Sequence, residues 1–178
     1  MTETGNGTES DSGPVPGRVL VTAERLAIEP EKTALTATNR DVGGVVVFEG
    51  LVREFSGGDP AASDSLTLEH YPGMTERALE KIRLETSQRW TLHGLTILHR
   101  VGTMRPGEVI VAVIACSRHR KNAFEACAFA MDYLKTEAPF WKLEDDGRGQ
   151  ADWVDARESD TRALKRWSGE PSPSKPEL

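Results

Sequence analysis

Two lysines in the C-terminal half of the chain, Lys135 and Lys142, bracket a run of six residues that ends in two aromatic side chains. A basic tripeptide, Arg118-His119-Arg120, lies at the start of the same predicted helix that carries Lys135. Guanidinium groups offer forked donors to phosphate or carboxylate oxygens, and the N–H groups at a helix N-terminus also favour anions. Because the chain as a whole is acidic, bulk charge does not explain this local cationic surplus. The pattern predicts a site for an anionic ligand.

The composition narrows the class of that ligand. The 178-residue chain carries 28 acidic and 22 basic residues, with a net charge of −6 and a pI near 5.3. Nucleic-acid phosphates require a broad basic surface, so this balance argues against a general nucleic-acid binder. The sequence also contains no P-loop, GxGxxG fingerprint or GxSxG elbow. We therefore expect any bound phosphate to belong to a small molecule.

Neither a metal site nor a membrane segment is predicted. The other histidines, His70, His93 and His99, are scattered and do not have the spacing of metal ligands. No stretch approaches the roughly 18 consecutive apolar residues that a membrane helix needs. The N-terminus is rich in Gly, Ser, Thr and Glu instead of being basic and then apolar, so no targeting segment is predicted. We expect a cytoplasmic protein.

Two cysteines, Cys116 and Cys127, are too few and too close to suggest a disulfide framework. Both lie among apolar residues, which favours packing thiols. Cys116 ends a predicted strand and precedes His119 by three residues, so a nucleophilic thiol beside a histidine is the alternative.

The apolar residues concentrate in one central region. Residues 1–17 contain almost no large apolar side chains and cannot offset the entropy of ordering, so they are predicted to be a disordered tail. Residues 168–178 contain three prolines among Ser, Lys and Glu and are predicted to be a second flexible tail. The expected folded unit is a single domain at residues 18–167.

Hydrophobic periodicity within that unit predicts an α+β fold. Pairs of strands are separated by helices, which differs from the regular alternation of a parallel βαβ array. A weak helix at 29–38 precedes two stronger helices at about 72–90 and 120–136, and a turn is predicted at Met104–Gly107. The predicted strands are 18–22, 43–48, 65–71, 95–99, 109–114, 140–143 and 152–154.

The two stronger helices each have an apolar face. Helical spacing places Met74, Ala78, Leu79 and Ile82 on one face of the first, and Phe124, Cys127, Ala128, Met131 and Leu134 on one face of the second. Lys135 borders the second face. It is either a snorkelling surface lysine or a partly desolvated amine that binds an anion or moves a proton. His119 is likewise either structural or a proton carrier.

Several motifs together resemble the large, catalytic subunit of molybdopterin synthase, the MoaE family. They occur in the order expected for that family and span nearly the whole predicted domain. A stretch at residues 117–126 also belongs to the match. The other motifs are Val47-Phe-Glu-Gly-Leu-Val-Arg53, Leu68-Glu-His-Tyr-Pro-Gly-Met74, His99-Arg-Val-Gly102, Asp132-Tyr-Leu-Lys-Thr-Glu-Ala-Pro-Phe-Trp-Lys142 and Trp153-Val-Asp-Ala-Arg-Glu-Ser-Asp160.

The resemblance implies an α/β hammerhead fold, with two main helices packed on a mixed or antiparallel sheet. It also implies sulfur transfer in molybdenum cofactor biosynthesis. A small ubiquitin-like subunit carries a C-terminal thiocarboxylate, and two sulfurs pass to cyclic pyranopterin monophosphate to form the dithiolene of molybdopterin. The sulfur comes from that carrier, so no further cofactor is expected. The family's assembly is a homodimer of large subunits within a heterotetramer, in which each active site can borrow residues across the interface.

The resemblance also assigns roles to individual residues. Lys135 and Lys142 are the expected catalytic residues, with Lys135 on the carrier-tail and proton-transfer side and Lys142 on the substrate. Leu51 stands where some relatives have a basic residue, so it is expected to contribute only packing or backbone contacts. Pro139, Phe140 and Trp141 are expected walls for the carrier tail. The expected substrate-binding residues are Arg53, His119, Arg120, Lys135, Lys142, Glu144 and Arg157.

Two other functions fit the basic residues alone. One is a Schiff-base lysine at position 135 that acts on a phosphorylated carbonyl compound. The other is a regulatory or storage module that binds a pterin or nucleotide without turnover. Neither is supported by the set of motifs.

Overall fold

The computed structural model describes residues 15–37, 39–54, 64–147, 151–154 and 164–167. The described helices are α1 (Ile28–Thr36), α2 (Met74–Arg89) and α3 (Arg120–Glu137), with a short 3₁₀ helix at Lys165–Trp167. The described strands are β1 (Val19–Thr22), β2 (Gly44–Leu51), β3 (Ser65–His70), β4 (Gly94–Arg100), β5 (Gly102–Met104), β6 (Val109–Ser117), β7 (Phe140–Asp145) and β8 (Ala151–Val154).

Four strands in the order β1-β4-β6-β2 form sheet A. β1 is parallel to β4, whereas β4 and β2 are both antiparallel to β6. The run of β-branched and small apolar residues in β6 suits a strand covered on both faces, and residues 111–117 are all buried. β6 is therefore the centre of the fold.

Helices cover the two faces of sheet A. α2 and α3 pack on one face, where Leu79 and Ile82 of α2 meet Ala126 and Ala130 of α3 above the strands. On the other face Leu35 of α1 packs against β4 and β6. These two layers bury most of the apolar side chains of the described chain.

Most members of the predicted core faces of the two long helices are buried, namely Leu79, Ile82, Cys127, Met131 and Leu134, but each face needs one correction. Phe124 is 61% exposed and Met74 is 51% exposed, whereas Phe129, which was not assigned to the core, is only 1% exposed. The face of α3 that meets the sheet is marked by Ala123, Ala126 and Ala130, because small side chains let the helix approach closely. The prediction included Ala128 but none of these three alanines, so it missed the centre of the buried face.

The remaining strands form a second sheet, so the predicted single sheet is divided in two. Sheet B is antiparallel throughout and has the order β5-β3-β7-β8. The chain passes from sheet A to sheet B at Gly102, whose φ of +83° suits a residue without a Cβ. The predicted turn after Met104 is present, with Glu108 N–H donating to the Arg105 carbonyl at 3.1 Å. The α+β class is confirmed.

Residues 15–17, which the sequence places in the N-terminal tail, are described and contact the fold. The Leu95 N–H donates to the Pro16 carbonyl at 2.9 Å, and an Arg83 guanidinium N–H donates to the Val15 carbonyl at 3.0 Å. Residues 1–14 and 168–178, the rest of the predicted tails, lie outside the described residues.

Two leucines of α2 test this packing. Leu79 is fully buried and Leu84 is 44% exposed on the same helix. We expect Leu79→Ala to lower the free energy of unfolding by about 2–5 kcal/mol, because it leaves a cavity between α2 and sheet A. Leu84→Ala is the matched control and should cost less than about 1 kcal/mol. Equal losses in urea unfolding would contradict the assigned face of α2.

Candidate active site

A cleft of about 140 Å³ lies where the end of β2 meets the inner face of sheet B. Sheet A contributes one wall through β2, the residues that follow it and Ile110 of β6. Sheet B contributes the other wall through β3 and β7. The lining residues are Leu51, Val52, Arg53, Glu54, Leu66, Ile110, Lys142 and Glu144. Three of the predicted substrate-binding residues, from positions far apart in the sequence, thus share one cleft.

Lys142 and Glu144 share a face of β7 because side chains two residues apart point to the same side of a strand. That face is turned towards sheet A. The Lys142 ammonium forms an ion pair with the Glu144 carboxylate, and the two side chains are 32% and 25% exposed. Glu144 therefore holds the lysine at the cleft.

Arg53 faces this pair from the opposite wall. It is exposed and has no hydrogen bond or ion pair with another described residue, so its guanidinium remains available to a ligand. Leu51 lines the cleft as a packing residue, as expected from its type. The charges of Arg53 and Lys142 are formally offset by those of Glu54 and Glu144. A phosphate bound here would require further cations.

Lys135 lies in the last turn of α3 and is exposed; it does not line the cleft. α3 begins beside Gly44 and runs along β2, and Cys127 lies against Val113 of β6. Fifteen residues of helix rise about 22 Å, roughly the length of seven β residues, which brings Lys135 level with Leu51. Lys135 thus stands at the same end of sheet A as the cleft.

His119 and Arg120 lie at the other end. The Cα of Arg120 is 3.3 Å from the position that a Cβ on Gly44 would occupy, at the first residue of β2. Arg53 follows the last residue of that strand, so the two arginines are roughly 30 Å apart along it. Arg118 is paired with Asp41 at 3.4 Å. One chain therefore does not bring His119 and Arg120 to the cleft.

The aromatic residues predicted to form walls for the carrier tail do not lie on one side of β7. Phe140 and Trp141 point to opposite faces of β7: Phe140 stacks inside on His99, whereas Trp141 is 49% exposed. They cannot both form the wall of one channel.

Arg157 lies outside the described residues. Sequence reasoning missed the apolar floor formed by Val52, Leu66 and Ile110, although the alternation in β3 could have indicated Leu66.

Both cysteines are buried packing residues, so the alternative of a nucleophilic Cys116 is wrong. Cys116 is fully buried against Leu98, Ala112 and Ile114. Burial raises the pKa of each thiol, Cys116 and Cys127, to about 11. A protonated thiol without access to solvent is not a nucleophile.

Within the described ranges, no helix is long and apolar enough to cross a membrane. The same ranges contain no group of three or more His, Cys, Asp or Glu side chains arranged to hold a metal ion.

Comparison with known proteins assigns the family. Residues 21–137 match the family model described as MoaE protein. The chain belongs to the MoaE family. It is 51% identical over 151 residues to the molybdopterin synthase catalytic subunit of Pseudomonas aeruginosa, which covers 84% of this chain and 99% of that protein. The resemblance carried by the motifs is confirmed, and with it the expected enzyme class in molybdenum cofactor biosynthesis.

Solved structures of the family agree with the fold. The molybdopterin cofactor biosynthesis protein E of Burkholderia multivorans superposes with a TM-score of 0.73 at 44% identity, covering 87% of this chain and 99% of that one. The molybdopterin synthase structure from Staphylococcus aureus gives a TM-score of 0.68 at 29% identity, over 78% and 96% of the two chains.

The buried thiols can be tested by alkylation. At pH 8 a thiol with a pKa of about 11 is roughly 0.1% thiolate, and neither cysteine is accessible. We expect iodoacetamide to leave Cys116 and Cys127 unmodified in the native protein and to modify both in urea, as read by mass spectrometry. Rapid native modification of Cys116 would restore the nucleophile alternative.

Proposed function

We propose that this chain is the catalytic subunit of a molybdopterin synthase. It transfers sulfur from the C-terminal thiocarboxylate of a small ubiquitin-like subunit to cyclic pyranopterin monophosphate. The observation that carries the proposal is the cleft in which Arg53 faces the Lys142–Glu144 pair. The match to synthase catalytic subunits along most of the chain supports the reaction.

The residue types suit this chemistry. The carrier supplies the sulfur nucleophile, which agrees with a chain whose own two thiols are buried. Arg53 binds the phosphate through forked donors, and Lys142 stabilises the charge that develops as the phosphate ester opens. Lys135, at the same end of sheet A as the cleft, serves the carrier tail as its carboxylate is expelled. The ion pair with Glu144 holds the Lys142 ammonium in place until the substrate enters.

A second copy of the chain supplies the missing cations in this proposal. β2 is an edge strand of sheet A, and among the described strands it pairs only with β6. Val45, Phe48 and Leu51 along it are 37%, 39% and 48% exposed. Glu49 is the one charged residue of this strand, and a long edge of this kind without Lys or Pro is a surface for pairing with another strand. A second β2 is the natural occupant.

Antiparallel pairing of two β2 strands about a twofold axis places Gly44 of one copy opposite Leu51 of the other. Arg120 lies beside Gly44, and Arg53 follows Leu51 by two residues. The twofold axis would thus bring His119 and Arg120 of each copy to the cleft of its partner. These residues would give the cleft the net positive charge that a phosphate requires. Two equivalent sites would form per dimer.

Reconstitution tests the reaction. Purified chain, thiocarboxylated carrier and cyclic pyranopterin monophosphate should form the dithiolene in a single turnover. We expect Lys142→Ala to slow product formation by about 100-fold or more, because it removes a charge-stabilising donor, and Lys135→Ala by about tenfold or more. Lys32→Ala on α1, a lysine paired with Glu29 away from the cleft, is the control.

One result would overturn the proposal, and a second would overturn the role assigned to Lys135. Wild-type chain that binds the pterin but forms no product with verified carrier would favour the regulatory module. Unchanged product formation by Lys135→Ala would remove that lysine from the mechanism.

Mixed dimers test the shared site. Lys142→Ala and Arg120→Ala copies, co-expressed with different affinity tags, should each be inactive as homodimers. In the purified mixed dimer both defects fall in one cleft and the other is intact, so we expect about half of the wild-type activity. If each site used residues of one chain, the mixed dimer would be as inactive as either parent.

A further inference from the structure

The motif His99-Arg-Val-Gly102 has no part in the catalytic steps proposed above, yet its first residue is the most deeply placed histidine of the described chain. His99 is 4% exposed, at the end of β4 in sheet A. Its ring stacks on Phe140 of sheet B with the centroids 3.8 Å apart and the planes 15° apart. Among the described residues this is the one pair of stacked rings that joins the two sheets.

The imidazole of His99 is held in one orientation. Its Nδ1 lies 2.9 Å from the Arg100 carbonyl, which places a proton on that nitrogen as the donor. Burial lowers the pKa of His99 to about 4, with nearby His70 acting in the same direction. At neutral pH the ring is therefore uncharged and can lie flat on an apolar ring.

The rest of the motif, Arg100 to Gly102, forms the connection between sheet A and sheet B, called the joint below. The Arg100 guanidinium donates to the Ala23 carbonyl at 3.3 Å and to the Glu108 carboxylate at 3.1 Å, so it fixes the end of β4 to the chain after β1 and to the turn before β6. Gly102 then turns the chain into β5 of sheet B. The ring stack lies beside this crossing.

The walls of the cleft come from different sheets. Arg53 follows β2 of sheet A, whereas Lys142 and Glu144 belong to β7 of sheet B. Phe140 is on the same face of β7 as these two residues, and about 7 Å of strand separates it from Lys142. Any shift of Phe140 relative to sheet A therefore moves the lysine relative to the arginine.

We propose that His99 is a positioning residue for the reaction: its stack on Phe140 sets the position of sheet B, and so the distance between Lys142 and Arg53. This inference rests on the proposed function, since it assigns His99 to the geometry of that cleft. Small displacements of reacting groups have large effects on rate, which makes a rigid contact at this point useful.

Two substitutions separate the stack from the hydrogen bond. His99→Phe keeps an aromatic ring for Phe140 and loses the bond to the Arg100 carbonyl. His99→Gln keeps an amide donor for that carbonyl and loses the ring. We expect kcat for dithiolene formation to fall about tenfold or more in His99→Gln and to stay within about threefold of wild type in His99→Phe.

Phe129→Leu is the control for general loss of packing, because Phe129 is equally buried in the aromatic cluster of α2 and α3, away from the joint. It should lower the melting temperature with kcat unchanged. Amide hydrogen exchange measures the stability of β7 without an assay of dithiolene formation. Backbone amides of β7 should exchange about tenfold faster or more in His99→Gln, with those of β6 unchanged.

The outcomes are distinguishable. If His99→Gln lowers the melting temperature but leaves kcat and β7 exchange at wild-type values, His99 only fills the core and the inference fails. If His99→Phe loses as much activity as His99→Gln, the stack is not the positioning contact. If wild-type protein forms no dithiolene, the proposed function fails, and exchange in β7 still shows whether His99 holds sheet B.

Discussion

The burial of β6 on both faces is the constraint on which the rest of the structure depends. Its apolar residues require helices on both sides of sheet A, and α2 with α3 on one side and α1 on the other meet that requirement. Because β2 and β4 both pair with β6, the whole sheet is organised around it. The length of this strand also separates its two ends by roughly 30 Å.

That separation shapes the candidate site. The basic residues His119 and Arg120 follow the C-terminal end of β6, and the cleft with Arg53 and Lys142 lies at its N-terminal end. A buried central strand cannot be bent to bring them together in one chain. The exposed apolar edge of β2 offers a solution, because an antiparallel partner exchanges the two ends. In the proposed function, dimer formation is therefore part of building the site.

The division into two sheets has a second consequence. A cleft with one wall on each sheet is only as well defined as the contact between the sheets. Here that contact includes apolar packing around Leu66 and Met104 and the stack of His99 on Phe140. An uncharged, buried imidazole suits this contact between the sheets because it combines a flat face with a fixed hydrogen bond.

Local patterns in the chain were enough to predict most of the elements. Seven of the eight described strands, the two long helices and the α+β class followed from periodicity, because alternation and helical spacing are properties of neighbouring residues; the three-residue β5 was missed. The helix faces were less accurate, because Phe124 is exposed and the buried Phe129 was not assigned to the core. A large apolar residue indicates burial only on average, whereas the alanines of α3 show where the backbone meets the sheet.

By itself the sequence determined the chemical character of the protein: an acidic chain with a local set of arginines and lysines whose types suit an anion, in motifs that belong to the MoaE family. The tertiary structure alone decided which of those residues meet. It placed Arg53, Lys142 and Glu144 in one cleft, Lys135 at its end of the sheet, and His119 with Arg120 at the far end. The physical reason is that such distances depend on strand pairing and on the crossing between two sheets, and no local pattern of residues encodes them.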